Sequence, residues 1–190
     1  VGSPQIRNAG TIGGNIGTAS PAGDMIPVLS ALGAVISLRS SEGRREISLE
    51  DLIIGVKETS LRHGEFIESV RVPVLDSPQE FLKVGSRSAM VISVTSLAFI
   101  TYPKTRSVGI GLGAVNPTPT RAKEAEAFIT DYLDWESMQV DSSGLDQFKD
   151  LVSAASSPID DHRSVAAYRR KSIGILAQRA LTRVFTEGVF

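Results

Sequence analysis

The sequence predicts an α+β fold with two unlike halves. Residues 1–75 alternate short helical and extended segments, whereas residues 78–190 contain three strand-like segments followed by three segments with helical spacing of apolar residues. The segment Leu75-Asp76-Ser77-Pro78 lies between them and combines a proline with turn-forming residues. We therefore expect a domain boundary there, with domains over residues 1–75 and 78–190.

The first half is expected to open with a glycine-dense tight loop and then a helix. The loop is Thr11-Ile12-Gly13-Gly14-Asn15-Ile16-Gly17. The helix begins at Asp24 as N-cap and ends near Leu32, because Pro27 suits the first turn and Gly33 supplies the stop. The remaining predicted elements are a strand over Ala34–Arg39, a turn over Ser41–Gly43, a strand over Arg44–Ile47, a short helix from the Ser48/Asp51 capping box through Ile54, and a strand over Phe66–Val72.

The second half is predicted to be a three-stranded antiparallel sheet followed by three helices. The strands are Glu80–Val84, Val91–Tyr102 and Ser107–Val115, and the helices are Arg121–Leu133, Leu145–Ala155 and Val165–Phe185. Gly109, Gly111 and Gly113 alternate along the third strand and so share one sheet face. Strand glycines mark close backbone approach, for which a packed helix is the favoured reason over a bulge or a flat ring.

Composition excludes several function classes. The net charge is −1, from 20 basic and 21 acidic residues mixed along the chain, so we expect neither nucleic acid nor an anionic membrane as partner. The absence of cysteine excludes disulfides, a thiol nucleophile and iron–sulfur ligation by this chain. The two histidines, His63 and His162, have no spacing that suggests a metal site or a catalytic base. No apolar run reaches the roughly 18–20 residues of a membrane span, and we expect a cytoplasmic protein.

The glycine-dense segment is the main candidate for a ligand site. A tight glycine-rich bend can direct several backbone N–H groups into one concavity, and a helix N-terminus behind it adds positive potential, which suits a phosphate. Such segments also occur as plain turns, and this one matches neither the P-loop nor the Gly-x-Gly-x-x-Gly pattern. The residues by themselves leave open whether this segment is a phosphate site or a plain turn.

Several ordered segments resemble one known family. Residues 2–15, followed by Ser20-Pro21-x-x-Asp24, resemble the second flavin-binding motif in FAD subunits or domains of the molybdenum hydroxylases, such as xanthine dehydrogenase and the carbon monoxide dehydrogenase medium subunit. The segments that are similar further along are Ile67–Pro73, Phe81-x-Lys83-x-x-x-Arg87, Ala167-Tyr168-Arg169-Arg170 and Arg179-Ala180-Leu181.

The resemblance implies the later part of a two-subdomain FAD-binding domain over residues 1–75 and the C-terminal domain of the flavoprotein subunit over residues 78–190. It implies FAD as cofactor, with no catalytic residue and no metal ligand in this chain. The implied FAD-binding residues are Thr11, Ile12, Gly13, Gly14, Asn15, Thr18, Asp24, Ile67 and Lys83.

Three of these residues also have simpler interpretations. Asp24 would accept a hydrogen bond from the ribose or adenine, or be only a helix N-cap. Ile67 would lie against the flavin or adenine, or be only part of the core. Lys83 would stabilise negative charge on the reduced flavin, or be a solvated strand lysine.

Two features depart from the pattern of the family, and a basic run near the C-terminus has a simple interpretation. The sequence contains no first flavin loop like Ala-Gly-Gly-Thr-Asp-Leu, so we expect the chain alone to bind FAD weakly or not at all. Val91 occupies a position where the family often has an aspartate, which puts local flavin contacts in question. The basic run Arg169-Arg170-Lys171 is expected to be solvated or paired with the neighbouring Asp160 and Asp161.

The function that the resemblance implies is electron transfer within a molybdenum hydroxylase. FAD would receive electrons from an iron–sulfur subunit, with a molybdopterin-containing subunit as further partner, and pass them to NAD, oxygen or another acceptor. The alternatives are a non-catalytic assembly module and a different nucleotide-binding enzyme.

Overall fold

The computed structural model of the protein describes residues 2–88 and 90–186. Its first half begins with three short helices, and a small antiparallel sheet follows. The elements are α1 (Pro4–Ala9), α2 (Ile12–Thr18), α3 (Met25–Ala31), β1 (Val35–Ser40), β2 (Gly43–Ser48), α4 (Leu49–Leu52), β3 (Ile53–Gly55), β4 (Glu58–Thr59) and β5 (Phe66–Arg71).

The first-half sheet has the order β2-β1-β5 and packs one face against the helices. Ile36 and Leu38 alternate along β1 and are fully buried, as expected for a strand with one covered face. Their cluster also includes Ile16 of α2, Ile26 and Leu29 of α3, and Leu49 and Leu52 of α4. This core holds α2 and α3 in place.

The second half is a four-stranded antiparallel sheet with helices on one face. Its elements are β6 (Gln79–Val84), β7 (Thr95–Tyr102), β8 (Ser107–Gly113), β9 (Thr120–Arg121), α5 (Lys123–Thr130), β10 (Leu133–Asp134), β11 (Gln139–Val140), α6 (Leu145–Ala154) and α7 (Ala166–Phe185). The sheet order is β6-β7-β8-β9. Leu97, Phe99, Ile110 and Leu112 alternate toward the helices and pack against residues such as Phe148. The α+β class is confirmed.

The opposite face of this sheet receives α3 from the first half. A Cβ atom on Gly109 would lie 2.5 Å from the carbonyl oxygen of Ala31, and one on Gly111 would overlap the carbonyl oxygen of Pro27. The prediction that the alternating glycines admit a helix is therefore confirmed. The hydroxyl of Tyr102 also donates to the Ala31 carbonyl, at 2.7 Å. One short helix thus joins both halves.

The predicted tight loop is instead the helix α2, which begins at Ile12 and ends at Thr18. Thr11 caps α2, and the unpredicted α1 is capped by Ser3 with a proline at its start. Glycine costs a helix up to about 1 kcal/mol per residue, so local propensity opposed α2. The burial of Ile16 in the first core stabilises the helix instead.

Several element boundaries also differ from prediction. The predicted helix over 121–133 is shorter, because its first residue pairs in β9 and its last in β10. The sheet therefore has a fourth, two-residue strand, and the hairpin of β10 and β11 was not predicted. The short helix α4 stops at Leu52 because Ile53 enters β3, and β7 starts at Thr95 rather than at Val91.

We predict that Gly111→Ala lowers the free energy of unfolding by at least about 2 kcal/mol, because the new methyl group would overlap the Pro27 carbonyl and force α3 off the sheet. Gly17→Ala is the matched control. Its methyl group would lie 3.8 Å from Ile67, and alanine favours the helix by about 0.5–1 kcal/mol. Urea unfolding of both variants measures the difference, and equal effects would contradict the packing argument.

We predict that Glu65 makes the protein sensitive to acid. Arg45 donates to both carboxylate oxygens, at 2.7 and 2.8 Å, and the N–H of Arg62 donates to one of them at 2.7 Å. The pairing with Arg45 first, and then the Arg62 bond, lower the pKa of Glu65 from 4.5 to about 2. A carboxyl with a lowered pKa stabilises the fold above its unfolded pKa, and that contribution disappears as the pH falls from 4.5 toward 2. Glu65→Gln should therefore flatten the stability profile in that window, as measured by urea unfolding at several pH values. An unchanged profile would exclude Glu65 as the cause.

Candidate cofactor site

The N-terminus of α2 carries the glycine residues of the predicted phosphate site. The Thr11 hydroxyl accepts from the N–H of Gly14 at 2.9 Å, and its carbonyl accepts from the N–H of Asn15 at 3.0 Å. This corrects the prediction that these two N–H groups are available to a ligand. Among the described residues nothing accepts from the N–H groups of Ile12 and Gly13, so two donors remain at this helix end.

Gly13 and Gly17 lie one turn apart on the side of α2 that faces β5. A Cβ atom at either position would lie 3.8 Å from the Ile67 side chain, in ordinary contact. Ile67 itself is partly buried against the first core. Its observed contacts are thus those of a packing residue, and contact with a flavin or adenine stays a prediction.

Asn15 and Thr18 differ in how much hydrogen-bonding capacity they keep. The Thr18 hydroxyl donates to the Gly14 carbonyl at 2.7 Å, within the helix. The side-chain oxygen of Asn15 is buried and has no hydrogen-bond partner among the described residues. It lies next to Gly23, where an added Cβ would be 3.1 Å away. A buried acceptor without a partner is costly, so Asn15 is suited to a ligand or water that donates.

Asp24 and Lys83 meet across the junction of the two halves. The Lys83 ammonium lies 2.7 Å from Asp24 Oδ2, and the hydroxyl of Ser93 donates to Asp24 Oδ1 at 2.5 Å. The side chains of Asp24 and Lys83 are 9% and 19% exposed. Asp24 precedes α3 but makes no side-chain capping bond, which corrects the N-cap interpretation. Lys83 is likewise not a freely solvated strand lysine.

Ser93 is the member of this cluster that sequence reasoning missed. It is fully buried and lies in the segment before β7, 69 residues from Asp24 in sequence. A single serine in a segment without regular pattern carries no signal of its own. Only the packing of α3 on the sheet brings the three residues together.

Arg169 is the buried member of the basic run at the start of α7. It is 3% exposed, donates to the Ala114 carbonyl at 2.9 Å and pairs with Asp161 at 2.5 Å. The expected pairing with a neighbouring aspartate is therefore confirmed for Arg169, and Arg170 and Lys171 are exposed, as the solvated alternative predicts. Arg169 borders a cavity of about 420 Å³ between Ser20–Ala22 of the first half and Ala114–Pro117 of the second.

Residues 2–88 and 90–186 contain neither a cluster of metal ligands nor a membrane-spanning helix. These residues include no group of three or more His, Cys, Asp or Glu side chains that could hold a metal ion. None of the helices in this part of the chain is long and apolar enough to cross a membrane.

Comparison with known proteins matches most of the chain to two family models. Residues 1–75 match the family described as the FAD-binding domain in molybdopterin dehydrogenase, and residues 80–184 match the CO dehydrogenase flavoprotein C-terminal domain. The glyceraldehyde dehydrogenase medium chain of Sulfolobus acidocaldarius is 34% identical over 97% of this chain and 64% of its own length. The carbon monoxide dehydrogenase medium chain of Afipia carboxidovorans is 30% identical over 96% of this chain and 63% of its own.

A solved structure agrees with these matches. One chain in a crystal structure of the Cu,Mo-CO dehydrogenase, in its cyanide-inactivated form, superposes with a TM-score of 0.81 at 29% identity, covering 97% of this chain and 64% of that chain. The chain therefore spans less than two thirds of the length of these relatives.

The chain belongs to the family of FAD-binding subunits and domains of the molybdenum hydroxylases, which are oxidoreductases. The resemblance seen in the sequence is confirmed, and so is FAD as the cofactor of the domain that the chain carries.

We predict that Asp24→Asn lowers the free energy of unfolding by about 2–3 kcal/mol, because it leaves the mostly buried Lys83 ammonium without its anionic partner. Lys83→Met should cost less, since Asp24 keeps the Ser93 hydroxyl. Urea unfolding of both variants measures which of them loses more stability. Asp76→Asn, at an exposed carboxylate in the segment between the halves, is the control and should have little effect; equal losses in Asp24→Asn and Asp76→Asn would argue against the ion pair.

Proposed function

We propose that this chain is part of the electron-transfer flavoprotein of a molybdenum hydroxylase. In this proposal FAD receives electrons from iron–sulfur centres on a partner and delivers them to NAD, oxygen or another acceptor. The observation that carries the proposal is the convergence of family-matched residues at the junction of the halves. There the Asp24–Lys83 pair lies beside the segment that follows α2.

The chain's residues would divide the binding of FAD between them. The N–H groups of Ile12 and Gly13, which have no acceptor among the described residues, lie at the positive end of α2 and suit a pyrophosphate oxygen, because uncharged donors bind phosphate without a lysine. The backbone N–H groups of Gly14 and Asn15 already bond to Thr11, so we assign the phosphate contact to the first two residues of the helix. Thr11 is then the N-cap residue, which stabilises the first turn that presents those two N–H groups.

The side chains nearer the junction would orient the rest of the cofactor. Each Asp24 oxygen accepts from Lys83 or Ser93 and has a second lone pair that could accept from a hydroxyl or amino group of the cofactor. The Ile67 side chain presents an apolar surface, and the buried Asn15 oxygen has no hydrogen-bond donor among the described residues. The Lys83 ammonium is paired with Asp24 in a poorly solvated place, and it would favour the reduced, negatively charged state of a cofactor that lies closer to the ammonium than to the carboxylate. FAD when bound supplies the redox chemistry.

The proposed partners are an iron–sulfur component and a molybdopterin-containing component. The sequence has no cysteine, so iron–sulfur centres would be held by residues outside it, as would the molybdopterin cofactor. The medium-chain names of two relatives support a multi-subunit assembly. We assign no acid–base step to this chain, and its contribution is to position FAD and to tune its potential.

We predict that the chain alone binds FAD at least about 100-fold more weakly than a version extended upstream to the length of its relatives, because a dinucleotide held by one of two motifs loses many charge-assisted contacts. Titration with FAD, followed by flavin fluorescence and absorbance, measures both affinities. Tight stoichiometric binding by the chain alone would contradict the need for the first flavin loop.

The extended protein also tests the proposed function itself. It should be yellow, with flavin absorbance bands, and Lys83→Met should weaken FAD binding whereas Lys104→Met, at an exposed lysine of a surface turn, should not. An extended protein that binds no flavin would favour the assembly-module alternative.

A further inference from the structure

Ser93 contacts the candidate cofactor site from a position outside every segment that pointed to FAD. Its hydroxyl donates to Asp24 Oδ1 at 2.5 Å while Lys83 occupies Asp24 Oδ2 at 2.7 Å. Both oxygens of this nearly buried carboxylate are therefore engaged, one by a neutral donor and one by a cation. The Ser93 side chain is fully buried, which shields its hydroxyl from bulk water.

The location of Ser93 is fixed by the backbone around it. The N–H of Val94 donates to the carbonyl of Val84 at 2.9 Å, which ties the segment before β7 to the end of β6. The next residue, Thr95, begins β7 and is itself fully buried. Ser93 thus has little freedom to follow Asp24 if the carboxylate rotates, and it acts as a fixed donor.

A fixed donor on one oxygen determines where the other oxygen lies. A carboxylate with a single partner can turn about its side-chain torsions, but two partners on different oxygens hold its plane. Lys83 has a flexible four-carbon side chain and cannot impose this orientation by itself. The constraint therefore comes from Ser93, and Lys83 follows the oxygen that Ser93 leaves free.

We propose that Ser93 is a positioning residue of the FAD site, which orients the Asp24 carboxylate and thereby holds the Lys83 ammonium at the junction of the two halves. The inference rests on the proposed function for its cofactor part. Because Asp24 precedes α3 and Lys83 lies on β6, the same three residues also fasten the first half to the second. Cofactor binding and closure of the junction would then depend on one hydroxyl group.

The first test needs no cofactor. Urea unfolding of Ser93→Ala, Lys83→Met and the double variant forms a thermodynamic cycle, repeated in an Asp24→Ala background. If Ser93 acts on Lys83 through Asp24, the two changes should depart from additivity by more than about threefold in the unfolding equilibrium constant. In the Asp24→Ala background they should be additive within about twofold. Additivity in both backgrounds would overturn the proposal.

The second test measures FAD affinity in the protein extended upstream. Ser93→Ala should raise the Kd for FAD about tenfold, because it removes a hydrogen bond to a charged group, and Ser93→Thr, which keeps the hydroxyl, should restore most of the affinity. Ser156→Ala is the matched control, since it removes a buried serine hydroxyl that donates to the Ser153 carbonyl at 2.7 Å, in the second half and outside the cluster. It should lower stability but leave the Kd unchanged.

The outcomes distinguish a failure of the positioning role of Ser93 from a failure of the proposed FAD-binding function. An unchanged Kd in Ser93→Ala, or equal shifts in Ser93→Ala and Ser156→Ala, would overturn the positioning role. If the unmodified extended protein binds no FAD, the proposed function fails and the cofactor part of this inference fails with it. The cycle would then still decide whether Ser93 holds the Asp24–Lys83 pair.

Discussion

The close packing of α3 on the glycine face of β8 is the contact that the rest of the structure depends on. Helix and strand backbones approach so closely that a single methyl group on Gly111 would overlap a carbonyl of the helix. The other side of α3 buries Ile26 and Leu29 in the first core. The same helix also buries Ala31 against Ala98 and Ile100 of β7, on the face of the second sheet that lies away from α5–α7. The halves therefore cannot be displaced without exposing apolar surface, and the burial of apolar surface is the largest favourable contribution to folding.

That packing also decides the electrostatics of the candidate site. Asp24 lies one residue before α3, so the position of the helix on the sheet brings its carboxylate to Lys83 on β6. An ion pair with so little exposure is retained only when both charges are well partnered, since the loss of hydration is not otherwise offset. Ser93 provides the further hydrogen bond that the carboxylate requires.

The chain brings together several kinds of group that suit an organic cofactor. It supplies uncharged donors at a helix end, a charge-compensated pair at a junction and an apolar side chain nearby. Such a set can hold and tune an organic redox cofactor, but it offers no cysteine for a redox cluster. This division agrees with membership in a family whose members are subunits or domains of larger oxidoreductases.

The sequence by itself determined the fold class, the family, the cofactor and the reason for Gly109 and Gly111, because these follow from periodicity and from ordered motifs along the chain. The prediction of a tight loop in place of α2 was wrong, because burial of Ile16 outweighs the low helix propensity of glycine. Only the tertiary structure decided that Asp24 bonds to Lys83 and Ser93 rather than capping its helix. The physical reason is that a contact between residues 59 or 69 positions apart depends on how α3 packs, which no local pattern encodes.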